Sequence, residues 1–228
     1  VTHLDSPTRA ELAEDRSQSY WLLSRLFLET PDSAFLNQLE PVLRAACETQ
    51  AESGLEALRD AVQQSLSTTE AEPEAASIAF TRHVCLGEKG EPLPFEAHAR
   101  EGKLPGESTE QVLVLMTQAG FDDVAPQASS PDHLGAELRF MAFLCLAERD
   151  AWANSESSLA ARQLQLQRHF MQAHVMQWAG FYCADLARRA SHPYVRAIAE
   201  LAHTHLTEDA RALETICHGL EAETAVAS

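Results

Sequence analysis

Asp132 and His133 stand side by side between a Gly/Pro-rich stretch and an apolar helical pattern. A carboxylate next to an imidazole suits three kinds of chemistry. The pair could act as a general base, ligate a metal, or hold a cationic ligand by charge-assisted hydrogen bonds. Ser130-Pro131-Asp132 also has the composition of a helix start, with Ser as cap, Pro at the first helical position and an acid in the first turn. That reading leaves the histidine without a task. Ten histidines invite a metal, but their spacing does not assemble one: His203 and His205 point to different sides of a helix, and His169 and His174 are five apart. No HExxH pair, phosphate-cradling glycine loop or GxSxG elbow occurs. No metal and no cofactor is expected. The enzymatic alternative is a metal- or nucleotide-dependent helical bundle using Asp132 and His133.

The elements that must position this pair read as helices throughout. Thr8 with Glu11 resembles a capping box that opens a helix running to about Glu29, and Thr30-Pro31-Asp32 stops it and starts another. Ser53 with Glu56 opens a third, and apolar residues at helical spacing then run through Ile78, Phe80 and Val84. Residues 87-106 break the pattern with four glycines and three prolines. Irregular segments of that length are more often functional than connective, and Phe95-Glu96 lies inside this one. Residues 120-130 form a loop between two helical groups. Helical segments follow at Pro131 to Asp150, Ser155 to about Phe170, about Ala173 to Ala190, from His192-Pro193, and from Thr207 to Leu220, with a frayed tail. The fold class is all-α, a globular bundle of about nine to twelve helices with a central hinge loop. Residues 1-128 form an N-terminal helical part and 129-228 a C-terminal one, together one compact domain in the monomer.

Composition narrows the partners. There are 34 acids against 17 bases, a formal net charge of -17, and only two lysines, Lys89 and Lys103. Such a chain repels nucleic acid and anionic lipid and attracts cationic partners such as an arginine-bearing peptide, although acidity for solubility alone gives the same balance. No helix is basic enough to read DNA. Five scattered cysteines without CxxC spacing suggest reduced, buried thiols in a cytoplasmic protein. The longest apolar run, Phe140 to Ala147, is too short to span a bilayer, so no stable membrane insertion is expected.

Four stretches, in order, resemble one family. Tyr20-Trp21-Leu22-Leu23-Ser24-Arg25-Leu26-Phe27 with Pro31 is similar to its opening helix. Phe80-Thr81-Arg82 through Gly87, then Pro94-Phe95-Glu96, is similar to its second motif. Asp132-His133-Leu134 with Glu137-Leu138 and Phe140-Met141 resembles its hinge and the helix after it. His174-Val175 with Trp178, then Pro193-Tyr194, resembles its closing helices. The family is the TorD/DmsD/NarJ-type chaperones that mature molybdenum oxidoreductases. Ser129-Ser130 stand where the family often has Glu-Pro, and Ala97 and Ala99 where a serine and a second aromatic are usual. The resemblance implies a cytoplasmic chaperone without turnover. It would bind the twin-arginine signal peptide and the body of an unfinished molybdenum-cofactor enzyme, as a monomer or a domain-swapped homodimer. The expected peptide contacts are Phe80, Phe95, Glu96, Asp132 and His133, with the two acids accepting from arginine and the imidazole supplying a pH-sensitive contact at the mouth of the groove.

Overall fold

Asp5 opens the first helix, α1 (Ser6–Leu28), by accepting the Thr8 N–H at 3.0 Å. The start therefore lies one turn before the Thr8/Glu11 box that the sequence suggests. The computed structural model describes residues 5–49, 53–67, 71–87 and 91–227, and among them all regular structure is helical. Asp32 caps α2 (Ser33–Thr49) through the Phe35 N–H at 2.8 Å. Then come α3 (Ser53–Ser67) and α4 (Ala71–Phe80), which runs on as a π-helical turn, Thr81–Leu86. The irregular segment holds a short helix, α5 (Glu96–Glu101), and α6 (Glu107–Gln118) follows.

The centre of the molecule is α1 lying antiparallel against α7 (Leu134–Ala153). Small residues set the close approach. Ser17 donates to the Ala142 carbonyl at 3.0 Å and Ser24 to the Gly135 carbonyl at 2.7 Å. A Cβ on Gly135 would come within 2.5 Å of Leu28 Cγ, so only glycine admits this spacing. Around the pair pack α8 (Ser157–Phe170), a π-helical turn Met171–Val175, α9 (Met176–Arg189) and α10 (Pro193–Ala227). Tyr20, Phe27, Phe80, Phe140, Phe170, Trp178 and Tyr194 are sealed in one core that draws on both halves of the sequence. Each such side chain contributes about 2 kcal/mol by leaving water.

The last helix is longer than the sequence suggests. Thr207 reads as a new cap, but its hydroxyl donates back to the His203 carbonyl at 2.8 Å, and the helix continues unbroken to Ala227. Asp209 turns inward instead. It receives Arg16 through two hydrogen bonds at 2.7 and 3.0 Å and the Tyr20 hydroxyl at 2.5 Å. Arg16 also donates to Glu148 at 3.2 Å, and Glu148 accepts from Gln167 at 2.9 Å and Trp152 at 3.1 Å. This buried network ties α1, α7, α8 and α10 together. Burial works against the charge on Asp209, yet Arg16, the Tyr20 hydroxyl and His205 together outweigh it and hold that carboxyl below its ordinary range.

Cys145, Cys183 and Cys217 are buried thiols, and burial pushes the first two up to about 12. Cys85 is exposed, against the expectation that the thiols are buried. No helix among the described residues is long and apolar enough to cross a membrane.

Candidate functional site

The irregular segment and the hinge meet as two extended strands of chain. Phe95 and His133 face each other across an isolated antiparallel bridge. The bridge is fastened on either side by Leu134 N–H to the Pro94 carbonyl and Glu96 N–H to the Asp132 carbonyl, both at 2.9 Å. The Phe95 ring sits edge-on to the imidazole at 5.0 Å.

Asp132 and His133 then cap two different helices. His133 is the N-cap of α7: its Nδ1 accepts the Gly135 N–H at 3.0 Å. Asp132 caps α5, whose own N-cap, Phe95, has no side-chain acceptor; the Asp132 carboxylate takes the Ala97 N–H at 3.0 Å. Ser130 does not cap α7, and Pro131 and Asp132 lie before its first turn. The Ser130 hydroxyl donates to Asp132 and fixes its carboxylate. The expected Ser-Pro-Asp cap is thus displaced by three residues, because the bridge to Phe95 keeps residues 131–133 out of helical geometry.

Behind the bridge lies a sealed polar cluster. Glu96, Asp132 and Glu137 are fully buried, and His133 and His174 nearly so. Glu96 holds His174 Nδ1 at 2.9 Å and receives Arg100 through its other oxygen. Glu137 accepts the Trp178 indole N–H at 3.1 Å, while its second oxygen, Oε1, has no donor. Burial, and after it the adjacent Glu96 carboxylate, push the Glu137 carboxyl well above its ordinary value. One proton resolves both facts: a neutral Glu137 donates from Oε1 to Glu96, and neither carboxyl is left unmatched. His133 moves the other way. Burial, opposed by the Asp132 charge, lowers it to about 4, so it stays neutral at physiological pH and its Nδ1 remains an acceptor.

The expected contact residues fall in two places. Phe95, Glu96, Asp132 and His133 are brought together, whereas Phe80 is buried in the core at the end of α4. The two acids are closed off from solvent and already committed to backbone and side-chain donors, so they do not stand at an open mouth. The imidazole is a helix cap and not a pH-sensitive contact in the neutral range. The same closure removes the Asp132/His133 base pair that an enzyme would need. Among the described residues no group of side chains is arranged to hold a metal ion.

An open feature lies on the outer side of the α1–α7 pair. A groove of about 570 Å³ has Trp21, Leu22, Val42, Phe121, Phe143 and Leu146 along its floor and walls. Glu14, Asp122 and Asp123 stand at its edge. A smaller hollow of about 150 Å³ continues it toward α10, sharing Gln18, Leu22 and Val42. Trp21 is 44% exposed and Val42 48%, so the groove presents apolar surface to solvent. The position of Trp21 on the polar stripe Glu14-Gln18-Trp21-Arg25 is the signal that it faces outward.

Residues 43–184 match the family model described as nitrate reductase delta subunit. The chain is 24% identical over 212 residues to the Chaperone protein TorD of Vibrio cholerae serotype O1 (strain M66-2), an alignment covering 90% of this chain and 94% of that one. The TorD protein of strain ATCC 39541 / Classical Ogawa 395 / O395 aligns with the same identity and coverage. A crystal structure of an Archaeoglobus fulgidus protein, described as a redox enzyme maturation protein, superposes with a TM-score of 0.50 at 16% identity. It covers 84% of this chain and 93% of its own, and it supports the all-helical fold. With more than half of its length matched by the family model, the chain belongs to the nitrate reductase delta subunit family, the TorD- and NarJ-type proteins.

Proposed function

We propose that this chain is a cytoplasmic maturation chaperone. It binds the twin-arginine signal peptide of an unfinished molybdenum-cofactor oxidoreductase, contacts the body of that enzyme, and withholds it from export until the cofactor is inserted. The observation that carries this reading is the groove between α1 and α7, with an apolar floor and acids at its edge, on a chain of net charge -17. An apolar floor takes the hydrophobic part of such a peptide, and the acids attract its arginines. The name carried by the Vibrio cholerae relatives, chaperone, supports the same reading.

In this reading Phe95, Glu96, Asp132 and His133 serve binding indirectly. Their bridge fixes the hinge, and the hinge carries Phe121, Asp122 and Asp123 to the groove. Phe80 supports them from the core. Residues 1-128 and 129-228 work as one compact domain, and the 120-130 connection is where two copies would exchange halves in a swapped dimer. Titration calorimetry with a synthetic twin-arginine signal peptide tests the proposal. Wild-type protein is expected to bind, and Trp21→Ala to bind about tenfold more weakly. Absence of binding by the wild-type chain would overturn the reading.

A further inference from the structure

Arg139, on α7, lies across the groove. Its guanidinium sits over the Trp21 ring at 4.4 Å and pairs with Asp123 at 3.0 Å. An aromatic face beneath and a carboxylate beside it are the two contacts by which proteins hold a guanidinium. The chain's own arginine occupies this seat and does not fill it completely, because Arg139 Nε is buried without an acceptor. The seat is also reachable. The Asp123 side chain is 63% exposed, Trp21 opens to solvent, and among the described residues no cation pairs with the neighbouring Asp122. The other arginine at the groove, Arg25, is different: it is held by Glu29 through two hydrogen bonds and covers Phe35 outside the groove.

We propose that Arg139 is an internal placeholder, and that an arginine of the bound peptide displaces it from between Trp21 and Asp123. The peptide's apolar residues then lie on Leu22, Phe121, Phe143 and Leu146, and the released Arg139 turns to solvent. This rests on the peptide-binding reading above and assigns its arginine subsite. Two properties follow. Arginine is preferred over lysine, since an ammonium neither stacks on the indole nor forks onto the carboxylate. An arginine without an adjoining apolar stretch binds poorly, because it must displace an equivalent group and gains nothing else.

The test uses the full chain and two synthetic peptides, one with adjacent arginines before an apolar stretch and one with lysines in their place. Affinity is read by calorimetry, with circular dichroism confirming that each variant is folded. Arg139→Gln should bind the arginine peptide about tenfold more tightly than wild type, since the seat is no longer closed most of the time. Asp123→Asn and Trp21→Ala should bind it more weakly, and the lysine peptide should bind wild type poorly. If Arg139→Gln binds more weakly than wild type, Arg139 itself contacts the peptide and the placeholder is wrong. If all three variants match wild type while the arginine peptide binds, the seat is elsewhere and the peptide-binding reading survives alone. If neither wild type nor Arg139→Gln binds, both fail together.

Discussion

Replacing His133 by asparagine separates the histidine's role as a cap from its titration. In the folded chain the imidazole is lowered to about 4 from an ordinary 6.5. Protonation therefore favours the unfolded chain, and the stability linked to the neutral ring is complete above about pH 6.5 and is lost as pH falls toward 4. The gap between 6.5 and about 4 is worth roughly 3 kcal/mol in full, of which about 2 kcal/mol is gone by about pH 5. Asparagine is among the best N-caps, and its side-chain oxygen can take the Gly135 N–H in place of Nδ1. What it loses is the edge contact with Phe95, about 1 kcal/mol. His133→Asn should therefore be about 1 kcal/mol less stable than wild type near neutrality and about 1 kcal/mol more stable near pH 5, so that the two stability curves cross. Urea unfolding followed by far-ultraviolet circular dichroism across this range measures the difference. Other titrating groups, Glu137 among them, are common to both chains and largely cancel. Parallel curves would refute the assignment of a buried, neutral His133.

Three further substitutions probe the surrounding frame. Glu137→Gln keeps an acceptor for Trp178 and gives Glu96 a permanent donor, so it should cost less than about 1 kcal/mol near neutrality. Because the folded Glu137 carboxyl is raised, its stabilising contribution is complete below the ordinary carboxyl range and fades as pH rises, so the variant should gain on wild type in alkaline denaturant melts. Gly135→Ala should destabilise by about 2 kcal/mol, since its Cβ would force Leu28 away and open the α1–α7 contact; thermal melts would show it. Arg16→Ala should cost about 4 kcal/mol in urea unfolding, because Asp209 and Glu148 would stay buried without a counter-charge.

The helices were legible in the sequence because their apolar residues repeat at helical spacing and a start such as that of α2 carries a capping residue, Asp32. Boundaries failed where a distant partner outbid a local one. Thr207 reads as a cap, yet Asp209 two residues on is drawn inward by Arg16, nearly two hundred residues away in sequence. Asp132 and His133 were recognisable as special, but their tasks were not. A helix cap supplied to α5 from across the hinge leaves no local pattern, since Asp132 and Ala97 are thirty-five residues apart. Nothing in the sequence joined Glu137, His174 and Trp178; that they enclose Glu96 is a product of folding. The groove was hidden for a similar reason, because Trp21, Phe121 and Arg139 come from three elements and each alone looks like core or surface.

The most direct test of where a signal peptide sits is photocrosslinking. A synthetic twin-arginine signal peptide carrying a photoreactive leucine in its apolar part would be irradiated with the full chain and the adducts mapped by mass spectrometry. Adducts on Trp21, Leu22, Phe121, Phe143 or Leu146, reduced in Trp21→Ala, are the expected result. Adducts confined to Phe80, Phe95 or His133 would show that the bridge opens to take the peptide, and would contradict the groove between α1 and α7 as the binding site.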